Sequence, residues 1–516
     1  MERLMVMTKT SPGFLARQKV NPSMKRKIVS LLLAGSLIAS PVALTGCSEG
    51  MPGGAKIVKL DPANPTAITV WHYYSGAQQE VFNELVKEFN ETTGAEQGIY
   101  VSSTSYGAVG GLEEALVASA EGAVGADEMP NIFSAYSDTA MSVKEKTELV
   151  NIASYFTGDE LSEYVDPYIQ SGYIDGDSNL YVFPVAKSTE TFMMVKEDWE
   201  KFAKETGATL DELDTIEGVT KVAQQYYEWT DAKTPKVKGD GKAFYGRDSI
   251  ANYLLLTMNQ LGCDLLKVKD GVATLNTDKD AYRDLWDNYY VPFVKGYFQS
   301  LGRFSSDDVK TGDIIAYTGS TVSSMYFPSQ IENDNGKTKK VSAIVRNAPV
   351  AADGNNSLIQ QGAGMSIVKS DDTEDYAASI FLKWFTQTDN NLEFTLKSSY
   401  LPVRKDANSM EAIDTAIERE DIDVDEHSYA MIENFMDSFN KRTFYSYPAF
   451  KNSSAVRKVL DYDFSDMATA DAKAIEKKVK DNGVSREKAA APSVTDKAFE
   501  AWYEQFTQKL QDALNQ

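Results

Sequence analysis

The two side chains that carry much of metal and nucleophilic chemistry are nearly missing from this chain: among 516 residues there are two cysteines, Cys47 and Cys263, and two histidines, His72 and His427. So few thiols and imidazoles leave no zinc spacing, no disulfide framework and little material for a Ser/His/Asp apparatus. Positive charge is also short, with 52 Lys and Arg against 75 Asp and Glu and a formal charge of −23. That balance argues against a nucleic-acid partner, because phosphate backbones are held by clustered bases. Beyond one stretch near the start, no apolar run approaches the ~18 residues that a membrane helix needs.

What is present is ample core material. At 42% hydrophobic and 11% aromatic residues, a chain of this length is too long for one comfortable core, and two lobes are expected. The N-terminus sets the address. Met24 is followed by Lys25-Arg26-Lys27, an apolar run over 28–43 and Leu44-Thr45-Gly46-Cys47. Basic, then apolar, then small residues make an export signal, and residues 1–46 are read as that signal, with Met24 as the true start. The last four residues resemble a bacterial lipobox, in which the cysteine thiol takes a diacylglyceryl group and heads the mature protein. A plain membrane anchor with an incidental cysteine is the alternative, but the run is short for a span and Pro41 interrupts its end. Residues 47–65, rich in small residues, Gly and Pro, read as a tether from lipid to domain. Removing 1–46 takes away seven bases and one acid, so the exported body is still more acidic.

Ala67-Ile68-Thr69-Val70-Trp71 has strand character, and Val81, Phe82, Leu85, Val86 and Phe89 recur at helical spacing. Strands over 98–105 and 131–136, with a helix over 112–120 between them, continue the alternation, which implies a mostly parallel, doubly wound sheet. Ligands collect at the carboxyl ends of such strands, a rim that here carries Tyr73-Tyr74, Tyr106-Gly107 and Tyr136-Ser137-Asp138. Asp175-Gly176-Asp177-Ser178 reads as a turn. The segment 180–186, held extended by Pro184, leads out of the first lobe. A helix-rich stretch over 197–300 follows, then a strand over 365–368 and a helix over 376–385.

From Ile68 onward the chain resembles the family 1 extracellular solute-binding proteins, the group that includes maltose- and glycerol-phosphate-binding proteins. The resemblance rests on Ile68-Thr69-Val70-Trp71-His72, Pro130-Asn131-Ile132-Phe133, Phe183-Pro184-Val185-Ala186 before Ser188-Thr189-Glu190, Thr311-Gly312-Asp313 leading to Gly319-Ser320-Thr321, Gly362-Ala363-Gly364-Met365, and Tyr400-Leu401-Pro402-Val403-Arg404. Each motif is short. Their order and spacing carry the likeness. It implies an α/β, two-lobed periplasmic-binding-protein-like fold of type II, with doubly wound sheets joined by a hinge. Lobe 1 is then 66–185 with 363–405, and lobe 2 is 186–362 with 406–516. It further implies a monomer that captures a carbohydrate between closing lobes and hands it to the permease subunits of an ABC importer. No cofactor is called for. The expected place is the extracytoplasmic face of the cell membrane, held there through Cys47 alone.

A sugar offers apolar C–H faces and a girdle of hydroxyls, so its site needs flat aromatics and planar polar groups. Tyr74, Tyr106, Tyr136, Tyr400 and Tyr447 are the stacking candidates; Asp138, Ser188, Thr189, Glu190, Ser320, Thr321 and Arg404 are the edge candidates. Arg404 forks hydroxyls in the sugar reading and clamps an anion in a glycerol-phosphate-like one, with Lys187 beside the crossover as its counterpart. A surface glycoside hydrolase and a glycan adhesin are the rival classes. No spacing places two carboxylates across a scissile bond. Asp421-Ile422-Asp423-Val424-Asp425 fails as a calcium loop, since positions six and twelve are Glu426 and Ile432, and reads as an acidic helix entry. Asn276-Thr277-Asp278 reads as a helix cap, and Cys263 as a small buried hydrophobe.

Replacing Cys47 by Ser is expected to abolish incorporation of labelled fatty acid and to move the protein from the membrane fraction to the medium; retention on the membrane would refute the lipid anchor.

Overall fold

The computed structural model describes residues 54–516 apart from 175, 177, 238, 270 and 333–337. The export signal, the start at Met24, Cys47 and the tether up to 53 lie outside the described residues, as do Asp175 and Asp177 of the expected turn.

The first lobe opens with β1 (Thr66–His72), α1 (Ala77–Glu91), β2 (Ile99–Ser105), α2 (Val109–Ala120), β3 (Ile132–Ala135) and α3 (Ser137–Lys144). The second contains β4 (Glu190–Val195), β5 (Tyr245–Arg247), α4 (Ile250–Gln260), β6 (Ala316–Ser320) and β7 (Ala343–Asn347). The chain returns to the first lobe with β8 (Gly364–Ile367), α5 (Asp372–Phe385) and α6 (Thr388–Ser398), and ends on the second with α7 (Ser453–Asn482) and α8 (Asp496–Leu514). The result is a two-lobed α/β fold. The first sheet runs β8-β3-β1-β2, with β1 parallel to β2 and β3 and only the returning β8 antiparallel. The second runs β7-β4-β6-β5 and is mixed: β4 arrives from the crossover, not from a strand–helix–strand unit, and lies antiparallel to both neighbours.

Each sheet is covered by helices whose apolar stripe follows the 3.6 period. In α1 the buried residues Val81, Phe82, Leu85, Val86 and Phe89 face Phe381 and Phe385 of α5. In α7 the buried stripe is Val456, Leu460, Phe464 and Ala468, and in α8 it is Phe499, Trp502, Phe506 and Leu510. These two helices pack on the second core, with the Phe464 ring 4.5 Å from Trp502 and 5.3 Å from Tyr289. The helix Met410–Glu420 packs on α6, and Glu426–Ser438 on β7. Asp425 caps the latter through His427 and Ser428 amides, and Asp278 caps Lys279–Leu285. Cys263 is half-buried against the second core. Among the described residues no helix is long and apolar enough to cross a membrane.

The lobes are joined where three passages of chain run side by side. Phe183 and Met365 exchange two backbone hydrogen bonds of 2.8 Å, Ser188 pairs with Gln361, and Lys187 with Leu401. Gly362 is required here: its φ is +88°, and a Cβ would stand 2.7 Å from the Ala186 carbonyl oxygen. Residues ahead of β1 also settle on the first lobe, since Ala55 and Leu60 touch its core and Lys56 reaches Asp372 at 2.7 Å.

Phe464→Ala would empty the centre of an aromatic cluster, and a loss of about 3–5 kcal/mol in unfolding free energy is expected from urea titration followed by tryptophan fluorescence. A loss under about 1 kcal/mol would mean that α7 and α8 contribute little to the second lobe.

Candidate functional site

The carboxyl end of β3 leads into a cavity of about 480 Å³ between the lobes. That volume is in the range of small-molecule sites. Its wall is drawn from both lobes and the hinge. The first lobe gives the start of α2 with Glu113 and the turn from β3 into α3 with Tyr136 and Asp138; the hinge gives Lys187, Gln360 and Gln361. The second lobe gives Asn252 of α4, Tyr447, and from α7 Ser454, Arg457, Lys458, Asp461 and Tyr462. The α7 contribution follows from its periodicity: these positions, spaced by three and four residues, form the polar stripe beside the buried one.

Arg457 is the centre of the polar wall. Its Nε donates to Asp461 Oδ2 at 3.1 Å, its Nη2 donates to Asn252 Oδ1 at 3.1 Å, and its guanidinium lies 5.6 Å from the Tyr447 ring. Burial pushes the Asp138 carboxyl above the usual carboxylate range, and the Arg457 charge draws it back in part. Tyr136 lies with its ring 6.4 Å from Tyr73 and nearly parallel to it, and the Tyr447 hydroxyl donates to the Ser453 carbonyl at 2.8 Å. Across the gap, Ser454 Oγ donates to Glu113, and Lys458 stands 4.0 Å from the same carboxylate. Glu113, Asp138 and Asp461 thus face Lys187, Arg457 and Lys458, so the ionised wall carries equal numbers of each sign.

Lys187 stands apart. It is 5% exposed, its Nζ donates to the Gly362 carbonyl at 3.2 Å, and no carboxylate pairs with it among the described residues. Burial lowers its pKa from 10.5 to about 8. Two more groups in the wall, the side-chain carbonyl oxygens of Gln360 and Gln361, are buried without a donor among the described residues. Acceptors of this kind suit a guest rich in hydroxyls. Among the described residues no cluster of His, Cys, Asp and Glu could hold a metal.

Of the twelve residues expected from sequence to form the site, Tyr136, Asp138 and Tyr447 meet in this wall. The other nine are placed elsewhere. Tyr74 fills the first core between Phe82 and Phe394, and Tyr400 stacks on Phe394 with its hydroxyl 3.2 Å from that of Tyr73. Tyr106 packs on Trp71 at 4.9 Å. Ser188, Thr189 and Glu190 are buried along the crossover, where Thr189 Oγ1 donates to the Ile359 carbonyl and Glu190 pairs with Arg247. Ser320 accepts from the Val322 amide, and Thr321 is buried with its amide on the Thr189 carbonyl. Arg404 is committed to Glu163 at 2.7 Å and Asp406 at 3.2 Å, on the Tyr164 side of the first lobe. Sequence reasoning missed Arg457, Asp461 and Asn252. The signal for the first two was the mixed polar stripe of α7; Asn252 lies near the start of an apolar helix, where an amide among Ile250, Ala251, Tyr253 and Leu254 was the cue.

An interlobe cavity lined by both halves and crossed by a hinge defines a binding protein of the two-lobed class. The model of the family described as bacterial extracellular solute-binding protein matches residues 84–420, and the chain belongs to that family. It is a binding protein and not an enzyme. No curated protein matches it. Among solved structures it is similar to the cyclic α-maltosyl-1,6-maltose-binding protein of Arthrobacter globiformis, at 18% identity and a TM-score of 0.59, over 87% of this chain and 100% of that one. It is similar also to UgpB from Mycobacterium tuberculosis in complex with glycerophosphocholine, at 16% and 0.58, over 88% and 99%. A third is an ABC substrate-binding protein from Listeria monocytogenes in complex with cycloalternan, at 16% and 0.59, over 87% and 100%. At such identities the likeness is one of fold.

Because Lys187 binds fewer protons in the folded state than in the unfolded one between pH 8 and 10.5, its burial costs most below pH 8 and is relieved as pH rises through that window. The shift corresponds to about 3 kcal/mol, of which about 1 is offset by the bond to Gly362. Lys187→Met is therefore expected to raise the unfolding free energy by about 2 kcal/mol at pH 7 and to remove the gain that the parent shows between pH 8 and 10. Denaturant titrations across that range would refute this if the two proteins ran in parallel.

Proposed function

We propose that the protein is the lipid-anchored capture subunit of an ABC importer, taking a neutral carbohydrate between its lobes and presenting it to the permease at the outer face of the membrane. The observation that carries this reading is the interlobe wall. It sets the Tyr136 and Tyr447 rings beside the hydrogen-bonding edges of Asp138, Asn252, Arg457 and Asp461, which is what C–H faces and hydroxyls require. The equal numbers of acids and bases favour an uncharged guest. The volume has room for more than a single hexose. Binding of maltosyl, cycloalternan and other glycan ligands by structural relatives supports the same class. In this reading lobe 1 (66–185 with 363–405) and lobe 2 (186–362 with 406–516) close about the crossovers, and Cys47 supplies the anchor. The glycerol-phosphate-like alternative keeps one observation in its favour, the buried Lys187 without a carboxylate.

Thermal-shift screening of the mature protein against mono-, di- and oligosaccharides and glycerol phosphodiesters tests the proposal. A neutral oligosaccharide is expected to raise the melting temperature. Asp138→Ala and Arg457→Met should each weaken that ligand by tenfold or more, about 1.4 kcal/mol. Stabilisation by phosphodiesters alone would transfer the assignment to the anionic class, and release of hydrolysed sugar would overturn the binding-protein role.

A further inference from the structure

We propose that Glu190, which does not line the cavity, positions the cavity arginine Arg457 through Asn252, and so tunes solute affinity from outside the site. The inference rests on the reading of the interlobe cavity as the solute site. Three different elements supply the relay: Glu190 begins β4, Asn252 lies in the first turn of α4, and Arg457 in the second turn of α7. Asn252 Nδ2 donates to Glu190 Oε1 at 3.2 Å, and Asn252 Oδ1 accepts from Arg457 Nη2 at 3.1 Å. The other Glu190 oxygen accepts from Arg247. Glu190, Asn252 and Arg247 are 3%, 1% and 8% exposed, so water does not compete for the bonds at Glu190, while Arg457 is partly exposed.

An amide between a carboxylate and a guanidinium has one acceptable orientation. Turning it over would set its oxygen against Glu190 and its NH₂ against Arg457, leaving two buried repulsions in place of two hydrogen bonds. The carboxylate therefore fixes which edge of Asn252 faces the cavity. That edge, with Asp461 on Nε, fixes the plane of the guanidinium. The N–H groups of Nη1 have no acceptor among the described residues and are directed by this arrangement. An arginine held in one rotamer has already lost the freedom that a solute would otherwise have to remove on binding.

Two variants test the relay without stranding a buried charge. The double change Glu190→Gln with Arg247→Met removes the ion pair as a unit, and Asn252→Leu leaves that pair intact. In the ligand-free protein with nitrogen-15-labelled arginine, the parent should show a slowly exchanging Arg457 Nε–H signal, and both variants should lose its protection. With maltotriose as the titrant, each is expected to bind about tenfold more weakly. The double change should not weaken binding further when Arg457 is already Met, because its effect passes through that residue, whereas Asn252 also lines the cavity itself and its variant is read by the exchange measurement. Unchanged protection of Arg457 in both variants, or a loss of affinity in the double variant that adds to that of Arg457→Met, would overturn the proposal. A parent that ignores maltotriose counts against the carbohydrate assignment, and the exchange measurement then decides the relay by itself.

Discussion

The arrangement hangs on the backbone pairing of the crossovers. The chain leaves the first lobe at Phe183 and comes back at Met365, and the two residues bond to each other through both amides. Exit and return are thus locked in register, and everything between them, some of it far along the sequence, is obliged to form a body of its own beside the first. The approach of the strands leaves no room for a Cβ at Gly362. The same few residues, Lys187 and Gln360 to Gly362, form the floor of the cavity. Hinge and binding surface are one piece of chain, so a displacement of either lobe changes the geometry that a guest meets.

The electrostatics of the wall follow from pairing. Most of its charges have a partner: Arg457 with Asp461, both partly exposed, and Glu113 with the exposed Lys458 and with Ser454. The exceptions are informative. Lys187 has a single carbonyl acceptor, and two glutamine carbonyl oxygens have no donor. Groups left short in this way can bond a guest, and under the proposed function that guest is a polyhydroxylated molecule, which donates and accepts with equal ease.

The first lobe was largely legible in the sequence because its signals are local. Strand and helix periods alternate cleanly from Thr66 to Ala135, and both Pro184 and Gly362 punctuate the crossovers. The rim position of Tyr136 and Asp138 followed from topology alone. The site was legible only in part, for two reasons. A tyrosine at a strand end can turn inward, as Tyr74 does against Phe82 and Phe394, and sequence does not fix that rotamer. The far wall comes from α7, whose residues are more than 300 positions from the rim they face in the fold. Arg404 is the reverse case: a fitting side chain in a family motif that the structure pairs with Glu163 and Asp406, away from the cavity.

One feature of α7 reaches past this molecule. Its core-facing residues Val456, Leu460 and Phe464 and its cavity-facing residues Ser454, Arg457 and Asp461 occupy separate stripes of a single helix. Mutation can therefore rewrite what the chain recognises while the packing that keeps it folded stays untouched. A lineage carrying such a helix can change its solute by drift at a handful of positions, and a laboratory seeking a sensor for a new solute can randomise that stripe and leave the rest of the scaffold alone.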